Sequence, residues 1–163
     1  MQLSTRARYA VMAMAELASR EPVRPDDSLA EPGADSVTLA QIAASQQLSR
    51  CYLEQLFGGL RRAGLVLSAR GPGGGYRLGR PATAITIAAI VDAVDEPIGA
   101  TRCTGAAGCM RTETGGQAPC RTHALWSELG RQIRLFLSGI TLAELVQGQV
   151  AGRASPPRQL EGT

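Results

Sequence analysis

Residues 49–80 read SRCYLEQLFGGLRRAGLVLSARGPGGGYRLGR. Within them Leu53, Leu56, Phe57 and Leu60 recur at i, i+3, i+4 and i+7, the spacing of one buried helix face. The outer face carries Arg50, Tyr52, Glu54, Gln55 and Arg62, so this helix is polar and basic towards solvent. Ser49 suits its N-cap and Gly64 its C-terminal stop. Just upstream, Thr38 suits the cap of a shorter helix, LAQIAAS, and QQLS supplies a tight turn between the two. Downstream, Leu65 to Ala69 and Tyr76 to Leu78 read as strands joined by a turn with four glycines and a proline.

Two short helices joined by a turn, the second basic on its outer side, make the pattern of a helix-turn-helix, and a hairpin after the second helix makes the wing of a winged helix. The expected fold is therefore mostly α with a small β-hairpin wing. Net charge is a mild +3, and all 17 basic residues are arginine. Their placement is informative: between Ser49 and Arg80 stand six arginines (50, 61, 62, 70, 77 and 80) against one acid, Glu54. Such a local excess matches a phosphate backbone as partner. Gly73 and Gly74 in the wing turn let backbone approach a sugar-phosphate rail, with Arg70 at the turn's entrance able to reach a minor groove. Arg61 and Arg62 can meet backbone phosphates, and Ser49, Tyr52 and Gln55 phosphates or bases. Glu54 can accept a hydrogen bond from cytosine N4 and repels phosphate, so it can reject sites as well as choose them.

Outward from this unit, Ala10, Ala13, Met14 and Leu17 mark a first helix, capped by Ser4 or Thr5 and running to about Arg20. Its apolar run is broken by Glu16, unlike a signal peptide, and no stretch has the length of a membrane span. A cytoplasmic, reducing setting is expected, in which clustered cysteines are more often metal ligands or redox groups than disulfides. The stretch EPVRPDDSLAEPGADS lacks any apolar period and reads as an exposed loop. After Pro81, AITIAAIVDAVDEP suggests a short link and a buried helix ending near Pro97. From His123, Leu125, Leu129, Ile133, Phe136 and Ile140 recur at helical steps, and Trp126, Leu137 and Val146 widen the apolar surface beyond what one small domain covers. That long C-terminal helix is expected to be shared core between two chains. The division expected is a winged helix-turn-helix domain at 1–82, a connecting helix at 83–100, a ligand loop at 101–123, a dimerisation helix at 124–150 and a disordered tail at 151–163.

The ligand loop is named for RCTGAAGCMRTETGGQAPCRTHALW, residues 102–126, which holds three of the four cysteines and the only histidine. No nucleotide-binding loop, C-x-x-C redox pair or carboxylate pair argues for an enzyme. Taken together, RYAVMAM near the start, YLEQLFGGLRRAGLV at 52–66, RGPGGGYRLG at 70–79, AVDEPIGATRC at 93–103 and CRTHALWSELG at 120–130 resemble the iron–sulfur cluster regulators of the IscR type, bacterial winged-helix transcription factors. The resemblance covers about residues 1–150.

It implies a homodimeric repressor or activator on a double-stranded DNA operator, governing iron–sulfur cluster assembly genes. It also implies one [2Fe-2S] cluster per chain, delivered by the cluster assembly machinery and held by Cys103, Cys109, Cys120 and His123. Glu54 would then help separate operator classes used with and without cluster. Two departures stand out. MRTETGGQAP lengthens the usual gap between the second and third cysteines, with Gly115 and Gly116 making it pliable, and Cys51 replaces a serine on the recognition helix. One imidazole among three thiolates leaves the site one unit less negative than four thiolates would, raising its potential and adding a protonatable ligand. A structural zinc site is the alternative for the same donors, since three cysteines and a histidine suit tetrahedral zinc. A cluster-carrying electron-transfer protein is another, although it would not need the basic wing.

Overall fold

The structure, a computed structural model, describes residues 4–20, 36–69, 71, 74–94, 110–113, 116–119 and 122–150. Helix α1 spans Thr5–Arg20 and starts where the Ala7 N–H donates to the Ser4 hydroxyl at 3.2 Å. Ala7, Ala10, Ala13, Met14 and Leu17 form its buried face. Helix α2, Leu39–Gln46, opens on a reciprocal cap. The Gln41 N–H donates to Thr38 Oγ1 at 3.2 Å, while the Thr38 N–H donates to Gln41 Oε1 at 2.8 Å. Gln47, at φ 53°, closes α2 in the left-handed region and turns the chain into α3, Arg50–Arg62. Ser49 is the N-cap residue of α3, but its side chain makes no capping bond. The helix is instead held by its apolar face, on which Leu53, Leu56, Phe57 and Leu60 are wholly buried. At its far end Gly64 adopts φ 68°, and the Leu65 N–H donates back to the Leu60 carbonyl at 3.0 Å.

Strands β1, Val66–Ala69, and β2, Gly75–Leu78, pair antiparallel in the register Val66 to Leu78 through Ala69 to Gly75. Val37 adds a bridge to Tyr76, tying the wing to the start of α2. The Tyr76 ring meets Phe57 edge-on at 4.7 Å, so wing and recognition helix share a core. A 3₁₀ turn, Ala82–Ala84, leads to α4, Ile87–Ala93, whose Ile87, Ala88, Ile90 and Val91 are buried. The α3–α4 contact is close because position 59 is glycine: a Cβ there would lie 2.5 Å from the Ala93 carbonyl oxygen.

Two features depart from the sequence reading. The ligand segment is not only loop: β3, Met110–Glu113, pairs antiparallel with β4, Gly116–Pro119. The C-terminal helix is also not one rod. Helix α5 runs His123–Ser138, breaks at Gly139, and is followed by the short α6, Leu142–Val146. At the break the chain runs beside residues 85–87, where the Ile87 N–H donates to the Ile140 carbonyl at 2.9 Å and the Leu142 N–H to the Ile85 carbonyl at 2.8 Å. Ile140 and Leu142 thereby become core of the winged unit, and α6 packs on α1. No helix among the described residues is long and apolar enough to cross a membrane.

Candidate nucleic-acid interface

The N-terminal end of α3 stands beside the wing and the start of α2, and the three enclose an open cleft. It is lined by Thr38, Leu39 and Ala40 from the start of α2, Arg50 and Glu54 from α3, and Ser68, Ala69, Gly71 and Gly74 from the wing. Arg50 and Glu54 sit one helical turn apart and form an exposed ion pair, Nε to Oε1 at 3.3 Å. Ser49, Cys51 and Gln55 are exposed around them. The residues picked from α3 do not form one patch, however. Arg61 and Arg62 are exposed in the last turn, about 17 Å along the axis from Arg50. Tyr52 is half-buried, its ring edge-on to Tyr9 of α1 at 5.9 Å between centroids, so part of it packs on α1. Arg80, part of the basic excess, donates to the Ala63 carbonyl at 3.4 Å and so closes the end of α3. Arg70 and Gly73 lie outside the described residues.

Thr38, which the sequence marks only as a helix cap, faces the same cleft. The signal was present: a Thr-x-x-Gln capping box places a helix N-terminus, with its positive end, beside the wing.

Cys103, Cys109 and Cys120 lie outside the described residues, and His123 is the first residue of α5. Between the second and third cysteines the described residues are β3 and β4. Met110 and Pro119 are Cα partners at one end of the β3–β4 pair, so β3 starts beside the residue at which β4 ends. Partnered Cα atoms in such a ladder are about 4.5–5.5 Å apart. Just inside α5, Glu128 accepts from Arg131 Nη2 at 2.6 Å and from Gln132 Nε2 at 2.7 Å, and the Arg131 guanidinium first among them holds its carboxyl down at about 2.

The outer face of α5 is apolar and open. Leu125 is 61% exposed, Trp126 42% and Phe136 43%, with Leu129 and Ile133 half-buried between them. On its inner side α5 packs on α4, where Arg134 forks onto Asp92.

A family model described as an iron-dependent transcriptional regulator, Rrf2, matches residues 3–148. The transcriptional regulator IscR of Yersinia enterocolitica is 48% identical over 149 residues, covering 91% of this chain and 81% of that protein. IscR of Klebsiella pneumoniae is 45% identical over 157 residues, covering 94% and 86%. Among solved structures, T. potens IscR matches with a TM-score of 0.67 at 29% identity, covering 96% of this chain and 94% of that one. CymR, the global cysteine regulator of B. subtilis, matches with a TM-score of 0.66 at 32% identity, covering 91% and 98%. These relatives are regulators rather than enzymes, and their fold is the helix-turn-helix and wing described above. With the cleft, the wing and a match over nearly the whole chain in agreement, the chain belongs to the Rrf2 family and is a DNA-binding transcriptional regulator of the IscR type.

Proposed function

We propose that this chain is a cytoplasmic homodimer whose choice of double-stranded DNA operator is controlled by one [2Fe-2S] cluster per chain, and that it regulates iron–sulfur cluster assembly genes, with the assembly machinery as cluster donor. The observation that carries the reading is the β3–β4 register. It sets Met110 and Pro119, the residues next in sequence to Cys109 and Cys120, side by side as Cα partners. Cys103, Cys109, Cys120 and His123 would hold the group, and three thiolates with one imidazole are a donor set suited to it. When bound, it would supply an iron site sensitive to oxidation and iron supply.

The chain's own residues provide the rest. His123 opens α5, and Cys120 precedes it by three residues, so a ligand pair there ties the segment to that helix. The exposed stripe of Leu125, Trp126 and Phe136, with Leu129 and Ile133 between, suits a second copy of the same helix, since apolar surface of this extent is seldom left in water. Arg50, Glu54, Gln55 and Ser49 would read the operator from α3, with Arg61 and Arg62 on backbone phosphates and Tyr52 at the margin. Arg70, Gly73 and Gly74 would meet the groove from the wing. The Thr38 end of α2 would meet a phosphate.

The test is the visible spectrum of anaerobically purified protein with iron and sulfide counted per chain, repeated on a Cys103→Ala, Cys109→Ala, Cys120→Ala variant. Visible bands with about two irons and two sulfides per chain, absent from the variant, are expected. A colourless protein with one zinc would leave the DNA-binding face standing and remove its proposed control.

A further inference from the structure

The two sides of α5 are used differently. Arg134 follows Leu125 by nine residues, about two and a half helical turns, and so lies on the opposite side of the helix from that exposed leucine. There its guanidinium forks onto the Asp92 carboxylate of α4, Nη1 to Oδ1 at 3.0 Å and Nη2 to Oδ2 at 2.7 Å, linking residues 42 apart in sequence. A two-pronged arginine–carboxylate pair fixes orientation as well as distance. The helix has a second anchor just past its C-terminal end, where Thr141 bridges Thr86 and Ile140 enters the core. Packing on α4 holds α5 broadly in place, and these two directional anchors fix its angle.

We propose that Asp92 and Arg134 set the angle at which α5 leaves the winged helix, and thereby the half-site spacing that the dimer accepts in its operator. The inference rests on the homodimer proposed above. Leverage gives the size of the effect. Arg134 is five residues from the Gly139 pivot, about 7.5 Å, and His123 is sixteen, about 24 Å. A shift of about 1 Å at the clasp therefore carries the far end of α5 by about 3 Å, close to the roughly 3.4 Å rise of one base pair. Half-site spacing is a geometric condition on two-fold binding, so an error of that size is enough to change which spacing fits. The pair itself is half-exposed, at 53% for Arg134 and 42% for Asp92, so it adds little to folding and its removal leaves the fold intact.

The probe is an operator selected by the full-length wild-type chain from a randomised double-stranded DNA library, then rebuilt with its half-sites one base pair closer and one further apart. Asp92→Asn, Arg134→Gln and the charge-exchanged Asp92→Arg, Arg134→Asp protein are compared with wild type by fluorescence anisotropy, with oligomeric state checked by sedimentation. Wild type should prefer one spacing by about tenfold. The single variants should fall to about threefold or less while binding an isolated half-site as wild type does, and the exchanged pair should regain the preference. Single variants that keep the wild-type spacing profile while remaining dimeric would overturn the proposal. A wild-type chain that sediments as a monomer on its operator would instead overturn the dimer beneath it.

Discussion

Replacing Leu142 by alanine tests whether the end of the chain belongs to the winged unit or to a continuous inter-chain helix. Leu142 is wholly buried at the start of α6, and its N–H is bonded to the Ile85 carbonyl. Truncating such a side chain removes its transfer free energy and leaves a cavity, a loss of about 3 kcal/mol, or more than a hundredfold in the folding equilibrium. With a urea slope of about 2 kcal/mol per molar, the unfolding midpoint should drop by about 1.5 M. Because the site lies inside one chain, the drop should persist at every protein concentration, and binding to a single half-site should weaken only where unfolding begins. Leu125→Ala is the contrast: at 61% exposure it should cost the single chain under about 0.5 kcal/mol while weakening self-association. Urea titrations followed by circular dichroism over a hundredfold range of concentration separate the two. If Leu142→Ala left the intrinsic midpoint unchanged and acted only on dimer dissociation, the break at Gly139 and the return of α6 to the core would be refuted.

Gly59→Ala should destabilise by about 1–3 kcal/mol, because its methyl would meet the Ala93 carbonyl oxygen at 2.5 Å and force α3 off α4; thermal unfolding reads this directly. The Arg20 side chain first, with Ser45 and Gln46, holds the Glu16 carboxyl below its usual 4.5, so the ionised form favours the folded state. That stabilisation is complete above about pH 4.5 and is lost as pH falls through the lowered value, and a Glu16→Gln protein should show a flatter acid limb in a pH series of urea midpoints. Arg50→Ala should lower the slope of log affinity against log salt by about 0.9 if Arg50 neutralises one phosphate, measured by anisotropy across a salt series; an unchanged slope would take Arg50 off the backbone. His123→Cys, which replaces the protonatable imidazole of the proposed ligand set by a thiolate, should slow loss of the visible absorbance on mild acidification under anaerobic conditions relative to wild type.

The DNA-binding half was legible because its signals are local. The periodicity of Leu53, Leu56, Phe57 and Leu60, the Thr38 cap and the strands flanking the glycine-rich stretch each depend on a few residues, and each is found where the pattern placed it. The Ser49 cap was a local signal that packing made unnecessary, since four buried side chains hold α3 without it. The C-terminal half misled for a physical reason: Ile140 falls at a helical step from Phe136, so an apolar stripe continues across a backbone break. The break had its own signature in Thr141-x-x-Glu144, a capping box that starts a new helix. The hairpin at 110–119 was masked by its composition, which contains few β-formers. The Asp92–Arg134 clasp joins residues 42 apart, and no spacing rule reaches that far.

The return of Ile140 and Leu142 to the core also orders events during synthesis. A ribosome makes α1, α2, α3 and the wing before α6, so the core beside α1 and the Ile85 segment stays incomplete until α6 has emerged. A chain stopped after α4 would leave exposed the apolar surface that Ile140 and Leu142 cover. By the time the winged unit is complete, α5 with its apolar face is complete too. A chain cut before α5 would therefore lack Ile140 and Leu142 from its core and the exposed apolar face of α5 together.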